Sequence, residues 1–134
     1  MAAVTERFQA TVPANTILQT SDQTVAESHV AGVVTAVGYT PEAAITGANS
    51  PASRTFTLVN KGQSGAGTTV VATLAMTSGV NGVAFDESQL TVSSTAADTV
   101  VAKGDILVWV STAVGGTGLV DPGGRVEIEL TRTA

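Results

Sequence analysis

Apolar and polar residues alternate along much of this chain with the period of two that is typical of β-strands. The pattern is clearest in residues 54–76, RTFTLVNKGQSGAGTTVVATLAM, where two apolar stretches flank a glycine-rich turn. Phe56 and Leu58 share one face of the first stretch. The second stretch is β-branched and almost continuously apolar, which predicts a central strand buried on both faces. The segment therefore predicts a β-hairpin at the centre of an all-β domain.

Shorter segments on both sides of this hairpin follow the same rule. Strands are predicted at residues 5–12, 16–20, 25–30, 30–39, 83–85, 89–93, 106–112 and 125–131. In the last of these, Val126, Ile128 and Leu130 alternate with polar residues and are expected to point inward. Many short strands, glycine-rich turns and no long helix predict an antiparallel β-sandwich, jelly-roll-like, with a β-barrel as the alternative.

The 134 residues are enough for one domain with a substantial core. We assign residues 21–134 to a single β-sandwich domain, while residues 1–20 form either its first strands or an N-terminal arm. Residues 40–52 make the longest excursion between strands and are a candidate contact loop. Thr40 is expected to cap a single helical turn there, with Pro41 at its first position and Glu42 beside it. Pro41 and Glu42 are therefore candidate contact residues.

The aromatic and titratable residues give little sign of a site for chemistry. Trp109 is the single tryptophan, and packing in the core or at a subunit interface is favoured for it over stacking against a sugar. His29 is the single histidine and is expected on a half-exposed strand. With no cysteine and one histidine, the usual nucleophilic and thiolate metal sites lack their residues. We therefore expect no enzyme activity and no cofactor.

Two weaker motifs are a phosphate-loop-like segment and a set of carboxylates at predicted strand ends. Residues 62–69 match the phosphate-loop pattern except that Thr68 replaces the lysine, and the residues that follow favour a strand, so a hairpin loop is expected. Carboxylates at predicted strand ends could collect around calcium, but turns recruit aspartate anyway and we expect no metal. These carboxylates belong to Asp86, Glu87, Asp98, Asp105 and Asp121.

The charge balance argues against two classes of partner. The net charge is −5, and the six lysine and arginine residues are scattered singly along the chain, so direct binding to nucleic acid is not expected. The apolar runs are short and broken by Thr, Ser and Gly, so no membrane span is expected.

Two long segments resemble small structural proteins encoded among the head genes of tailed bacteriophages, notably those that infect actinobacteria. They are residues 34–76 and 101–130, with the phrases TLVNKGQSGAGTTVVA and DPGGRVE. The resemblance implies a head decoration (auxiliary capsid) protein that binds the outside of the virion capsid as a homotrimer and bridges major capsid protein subunits. It also implies that Arg7 and Phe8 lie on an arm that contacts the capsid or a neighbouring copy.

A binding module of another class is the alternative function. A sugar- or receptor-binding β-sandwich of a phage fibre or bacterial surface protein would use residues 40–52 and 115–124 as its binding face. Such a module displays exposed aromatic side chains in a cleft. The few aromatic residues of this chain predict that it has none.

Overall fold

The computed structural model describes residues 4–15, 20–50, 52–115 and 119–133, and these residues are almost entirely β-strand and loop. The elements are β1 (Thr5–Val12), β2 (Ser21–Glu27), β3 (Gly32–Pro41), β4 (Ser53–Asn60), β5 (Thr69–Ala75), β6 (Ser88–Gln89), β7 (Thr91–Val92), α1 (Ala96–Thr99), β8 (Val100–Val101), β9 (Ile106–Val114) and β10 (Gly124–Arg132). The predicted all-β class is confirmed.

The strands form two antiparallel sheets. The first sheet has the order β1-β10-β3-β6, with β8 also paired to β3, and the second has the order β2-β9-β4-β5-β7. Every pairing is antiparallel. The predicted antiparallel β-sandwich is therefore confirmed.

The core lies between the inward faces of the two sheets. Val126, Ile128 and Leu130 of β10 are buried as their alternation predicts. Three aromatic rings form the centre of the core, with Phe56 stacked on Trp109 at 5.5 Å between ring centroids and Tyr39 5.2 Å from Trp109. Because aromatic side chains bury the largest areas, this trio is the main apolar anchor between the sheets.

The central hairpin is confirmed, but its central strand is β4 and not the return arm β5. β4 lies between β9 and β5, whereas the other side of β5 pairs only with the two residues of β7. Val70 of β5 is accordingly exposed. The prediction failed because β-branched residues suit any pleated surface, so an unbroken apolar run does not distinguish a covered face from an open one.

The N-terminal strand pairs within its own chain. β1 runs along β10 from Thr5 opposite Thr131 to Val12 opposite Gly124. Of the two alternatives for residues 1–20, the structure shows a first strand for residues 5–12. The predicted strand at 16–20 lies largely outside the described residues. The strand predicted at residues 25–30 begins and ends earlier, as β2, which pairs with β9.

Local signals were overridden by strand pairing in the loop after β3. No helical turn forms at residues 40–44, because Thr40 and Pro41 continue β3 opposite Arg125 and Gly124 of β10. Residues 83–85, predicted as a strand, lie in a loop with a turn at residues 84–85, and residues 96–99 form the single-turn helix α1. His29 lies in a bend between β2 and β3 and is exposed, not on a strand.

The strand predicted at residues 89–93 is divided between the two sheets. Gln89 pairs with Gly38 in the first sheet, while Thr91 pairs with Thr73 in the second. Leu90, between them, is buried where the chain crosses from one sheet to the other. This crossing closes one side of the sandwich.

Candidate functional site

A buried polar network joins the two sheets near one end of the core. The Asp121 carboxylate accepts hydrogen bonds from the Tyr39 hydroxyl (2.7 Å), the Ser111 hydroxyl (2.8 Å) and the Gly123 amide (3.0 Å). Arg54 donates to the Ser111 hydroxyl at 2.9 Å and, through Nε, to the Leu119 carbonyl at 2.6 Å. Arg54 and Asp121 are 0 % and 1 % exposed. The network is thus closed to solvent.

The charges of this network shape the pKa values of its members. Burial is the main cause that raises the pKa of Tyr39 far above its usual range, and the charge of Asp121 and the hydrogen bond to it add to the effect. Burial lowers the pKa of Arg54, while the Asp121 carboxylate opposes that change. Tyr39 is therefore a neutral donor across the physiological range, and the network is a structural clamp.

The sequence analysis treated Asp121 only as a strand-end carboxylate. A signal for the network was nevertheless present, because Arg54 is in phase with Phe56 and Leu58 on the core-facing side of β4. A charged residue on a core face needs a buried partner. The alternation therefore predicts a buried arginine, although it does not identify Asp121 as its partner in the network.

Two of the other strand-end carboxylates, Asp105 and Asp98, accept hydrogen bonds from nearby side chains and amides. Asp105 accepts hydrogen bonds from the Asn60 side-chain amide and the Ala102 amide, both at 2.9 Å, and Asp98 accepts one from the Ser93 hydroxyl at 2.7 Å. Among the described residues, no three histidine, aspartate or glutamate side chains cluster to hold a metal ion.

The glycine-rich segment is a hairpin loop. Gly62 and Gly65 both have positive φ, a conformation that L-residues with side chains rarely adopt. The loop leads into β5 and not into a helix. A phosphate loop depends on helix N-terminal amides, so the geometry of the segment matches the predicted hairpin loop.

Three of the five candidate contact residues reach solvent. Arg7 is exposed on β1 and pairs with Glu129 at 3.1 Å and Glu127 at 3.6 Å on β10. Phe8 is half-buried and packs edge-on against His29, with the ring centroids 5.6 Å apart. Glu42 is exposed in the loop that follows β3.

The other two candidate contact residues are buried and cannot contact a partner. Pro41 is buried at the end of β3. Trp109 is 1 % exposed and belongs to the aromatic core, so of its two predicted roles, core and subunit interface, the structure supports the core. Its inward position follows from β9, whose residues Leu107, Trp109 and Ser111 share the buried face.

Loops from distant parts of the chain meet at one end of the sandwich. The Glu42 amide donates to the Gly123 carbonyl at 2.9 Å, which joins the two loops proposed from the sequence as a binding face. Ile45 and Gly82 form an isolated antiparallel bridge, and the Phe85 amide donates to the Pro41 carbonyl at 2.9 Å. We call this the loop end of the molecule.

The loop end carries an exposed apolar cluster that the sequence analysis missed. Val80, Val83 and Phe85, which together we call the Phe85 tip, are all exposed, Phe85 by 79 % and Val83 by 60 %. Phe85 also has a φ of +62°, which costs a residue with a side chain roughly 1–2 kcal/mol. Asp86, directly after Phe85, is of a residue type that favours turns, and this is a local signal against a strand at residues 83–85.

The outward faces of the two sheets differ sharply in charge. The first sheet presents a charged row, with Arg7 on β1 and Arg125, Glu127 and Glu129 on β10. On the second sheet, the exposed charges Asp22 and Glu27 belong to the edge strand β2, while β4, β5 and β9 contain one charged residue, Arg54, and it is buried. Their outward positions are instead valine, isoleucine and threonine. Such a neutral face is more easily desolvated than the charged one.

A groove of about 300 Å³ opens on this neutral face. It is lined by Asp22, Thr24, Lys61, Gly65, Ile106 and Val108. Ile106 and Val108 supply apolar walls from β9, and Lys61 enters from the hairpin loop. We call it the Lys61 groove.

Comparisons of the chain with protein-family models, curated proteins and solved structures found no match. The described residues also form no long apolar helix of the kind that crosses a membrane.

Proposed function

We propose that this chain is a structural virion protein that binds the outer surface of a phage capsid as a homotrimer and stabilises the shell by bridging major capsid protein subunits. The virion exterior is then its place of action. The proposal extends the resemblance of residues 34–76 and 101–130 to head decoration proteins. It needs a surface that binds other proteins, and the Phe85 tip is the observation that carries it.

The Phe85 tip has the properties of a protein-binding anchor. An aromatic side chain that is 79 % exposed places apolar area in water, where it gains nothing for the monomer. Interface hot spots are typically aromatic side chains that become buried in a partner. Hydrogen bonds of the Phe85 amide to the Pro41 carbonyl and of the Asp86 amide to the Val83 carbonyl hold the backbone of the turn, so less backbone ordering is needed on binding.

The direct test uses capsids that lack the protein. Purified protein is mixed with such capsids, co-sedimentation measures binding, and heating measures the temperature at which the shells open. The proposal expects saturable binding and a higher opening temperature. Absence of binding to capsids of the cognate phage at micromolar protein would contradict it.

A binding module for a sugar or receptor is the second candidate. One observation favours it, since the loops at Glu42 and Gly123 adjoin at the same end of the molecule as the exposed Phe85 ring. Sugars often stack on an exposed aromatic ring. A glycan array separates the two functions, because a decoration protein is expected to bind no glycan and a sugar-binding module is expected to lose its signal when Phe85 is replaced by alanine.

A further inference from the structure

We propose that copies of this chain associate head to tail in solution, with the Phe85 tip of one copy packed in the Lys61 groove of the next. The inference identifies the self-contact within the proposed homotrimer and in that sense rests on the proposed function. It joins two features of the described surface that have complementary shape, polarity and charge.

The Phe85 tip and the Lys61 groove match in shape and polarity. The groove has a volume of about 300 Å³ and is open to solvent, so it can admit one phenyl ring. Ile106 and Val108 line it with apolar atoms that suit the ring of Phe85. Placing the ring there removes apolar area of both copies from water.

Charge and apolar walls together favour this groove for the tip. Asp86 and Glu87 follow Phe85 directly, and both are exposed. In the part of the chain that the structure describes, Lys61 forms no ion pair, whereas the cations of β1 and β10 are paired with glutamates. Lys103 also forms no ion pair among the described residues, but it lines a groove that contains Glu27 and no large apolar side chain. An acidic tip that meets an uncommitted lysine gains attraction between copies that each carry a net charge of −5.

The same charges fix the orientation of the contact. Asp22 lines the groove on the β2 side, away from the hairpin loop that carries Lys61. A pose that brings Asp86 to Asp22 is repulsive, while a pose that brings Asp86 to Lys61 is attractive. The groove therefore accepts the tip in one direction.

The positions of tip and groove determine the kind of assembly. The tip belongs to the loop end, near Glu42 and Gly123. The groove is near the opposite end, where Lys61 and Ile106 are joined by a backbone hydrogen bond of 2.8 Å. Two different surfaces make a heterologous contact, which closes into a ring such as a trimer when the rotation permits.

The first experiment measures solution mass against protein concentration by light scattering or native mass spectrometry. The wild type is expected to form an oligomer, and Phe85→Ala is expected to need at least tenfold more protein to do so. Val100→Ala is the matched control, since Val100 is an exposed apolar residue outside both surfaces and its removal should change nothing. A wild type that stays monomeric at every concentration, or a Phe85→Ala protein that assembles normally, overturns the proposal.

Charge reversal then tests the partner of the tip. Lys61→Glu should weaken association, and adding Asp86→Lys to it should restore association towards that of the wild type. Because the chain has no cysteine, Val83→Cys and Thr24→Cys proteins can also be mixed and joined with a short bis-maleimide. Cross-links should exceed those with Val4→Cys in place of Thr24→Cys. Equal cross-linking, or no rescue, argues against this contact.

Capsid binding by the same variants separates this inference from the proposed function. If capsids bind the chain but Phe85→Ala affects only capsid binding and not solution mass, the tip docks on the capsid and the head-to-tail contact is wrong. If Phe85→Ala abolishes oligomers while no form of the chain binds capsids, the contact stands and the capsid role fails.

Discussion

The Tyr39 hydroxyl donates a 2.7 Å hydrogen bond to the Asp121 carboxylate, although the two residues are 82 positions apart in the chain. Tyr39 belongs to β3 of the first sheet, and Ser111, which donates to the other carboxylate oxygen, belongs to β9 of the second. One carboxylate thus links both sheets. The Asp121 network also lies beside the loop end. The surface that carries the Phe85 tip therefore packs on a part of the core that hydrogen bonds hold in place.

Replacing Asp121 by alanine should be one of the most damaging single changes in the chain. The substitution removes the acceptor of three buried hydrogen bonds and the charge that faces Arg54 through the Ser111 hydroxyl, and a buried donor left unsatisfied costs about 1–3 kcal/mol. Urea unfolding of Asp121→Ala and wild type measures the loss in the free energy of unfolding. Glu27→Ala is the control, since Glu27 is exposed on β2 outside the Lys61 groove and should change that free energy by less than about 0.5 kcal/mol. A loss below about 1 kcal/mol for Asp121→Ala would show that the network is not a clamp.

Tyr39 should make stability fall at alkaline pH. Its pKa is raised in the folded protein, so its contribution is fully present below the unfolded value of about 10 and is lost as the pH rises above it. Because Tyr39 is the single tyrosine, the ultraviolet absorbance of phenolate reports on it alone. Phenolate should appear only together with unfolding, as followed by circular dichroism. Ionisation of a still-folded protein near pH 10 would contradict the prediction, and Tyr39→Phe should lose this part of the pH dependence.

Strand patterning was predictable from the sequence because it is a local property. Val126, Ile128 and Leu130 must be buried together once β10 is extended, whatever pairs with it. The Asp121 network was not predictable, because Tyr39, Ser111 and Asp121 meet only after both sheets have formed. Which partner satisfies the buried Arg54 is decided by topology and not by any spacing in the chain.

The contact residues were only partly predictable, for a related reason. Pro41 carries a helix-start signal, but pairing of β3 with β10 extends the strand through it. Phe85 has the composition of a core residue, yet its turn conformation points it to solvent. Intrinsic preferences are worth a fraction of a kcal/mol per residue, so a strand pairing or a turn easily overrides them.

Gly124→Ala should destabilise the sandwich where β10 meets β3. A methyl group at Gly124 would overlap the carbonyl oxygen of Thr40, and the backbone of a neighbouring strand cannot move aside cheaply. Overpacking of this kind costs about 1–3 kcal/mol. Thermal and urea unfolding give the change.

Gly82→Ala is the matched control for that change. A methyl group at Gly82 would make ordinary contacts, 3.4 Å from Pro41 and 3.5 Å from Ile45, and φ there is not positive. The substitution should be neutral or stabilise the protein by about 0.4–1 kcal/mol, since alanine restricts the unfolded chain. If both variants behave alike, the close approach of β10 and β3 at Gly124 is not tight.

The conformation of the Phe85 tip can be tested independently of any partner. At a φ of +62°, glycine is favoured over alanine, so Phe85→Gly should be more stable than Phe85→Ala by about 1 kcal/mol in urea unfolding. At Val83, which has no positive φ, the order should reverse by about 0.5–1 kcal/mol because glycine gains entropy in the unfolded state. Both Phe85 variants lack the ring and should lose association equally. If Phe85→Gly yields a more stable monomer that no longer associates, the strained turn is retained for the contact it makes, at a cost to the stability of the single chain.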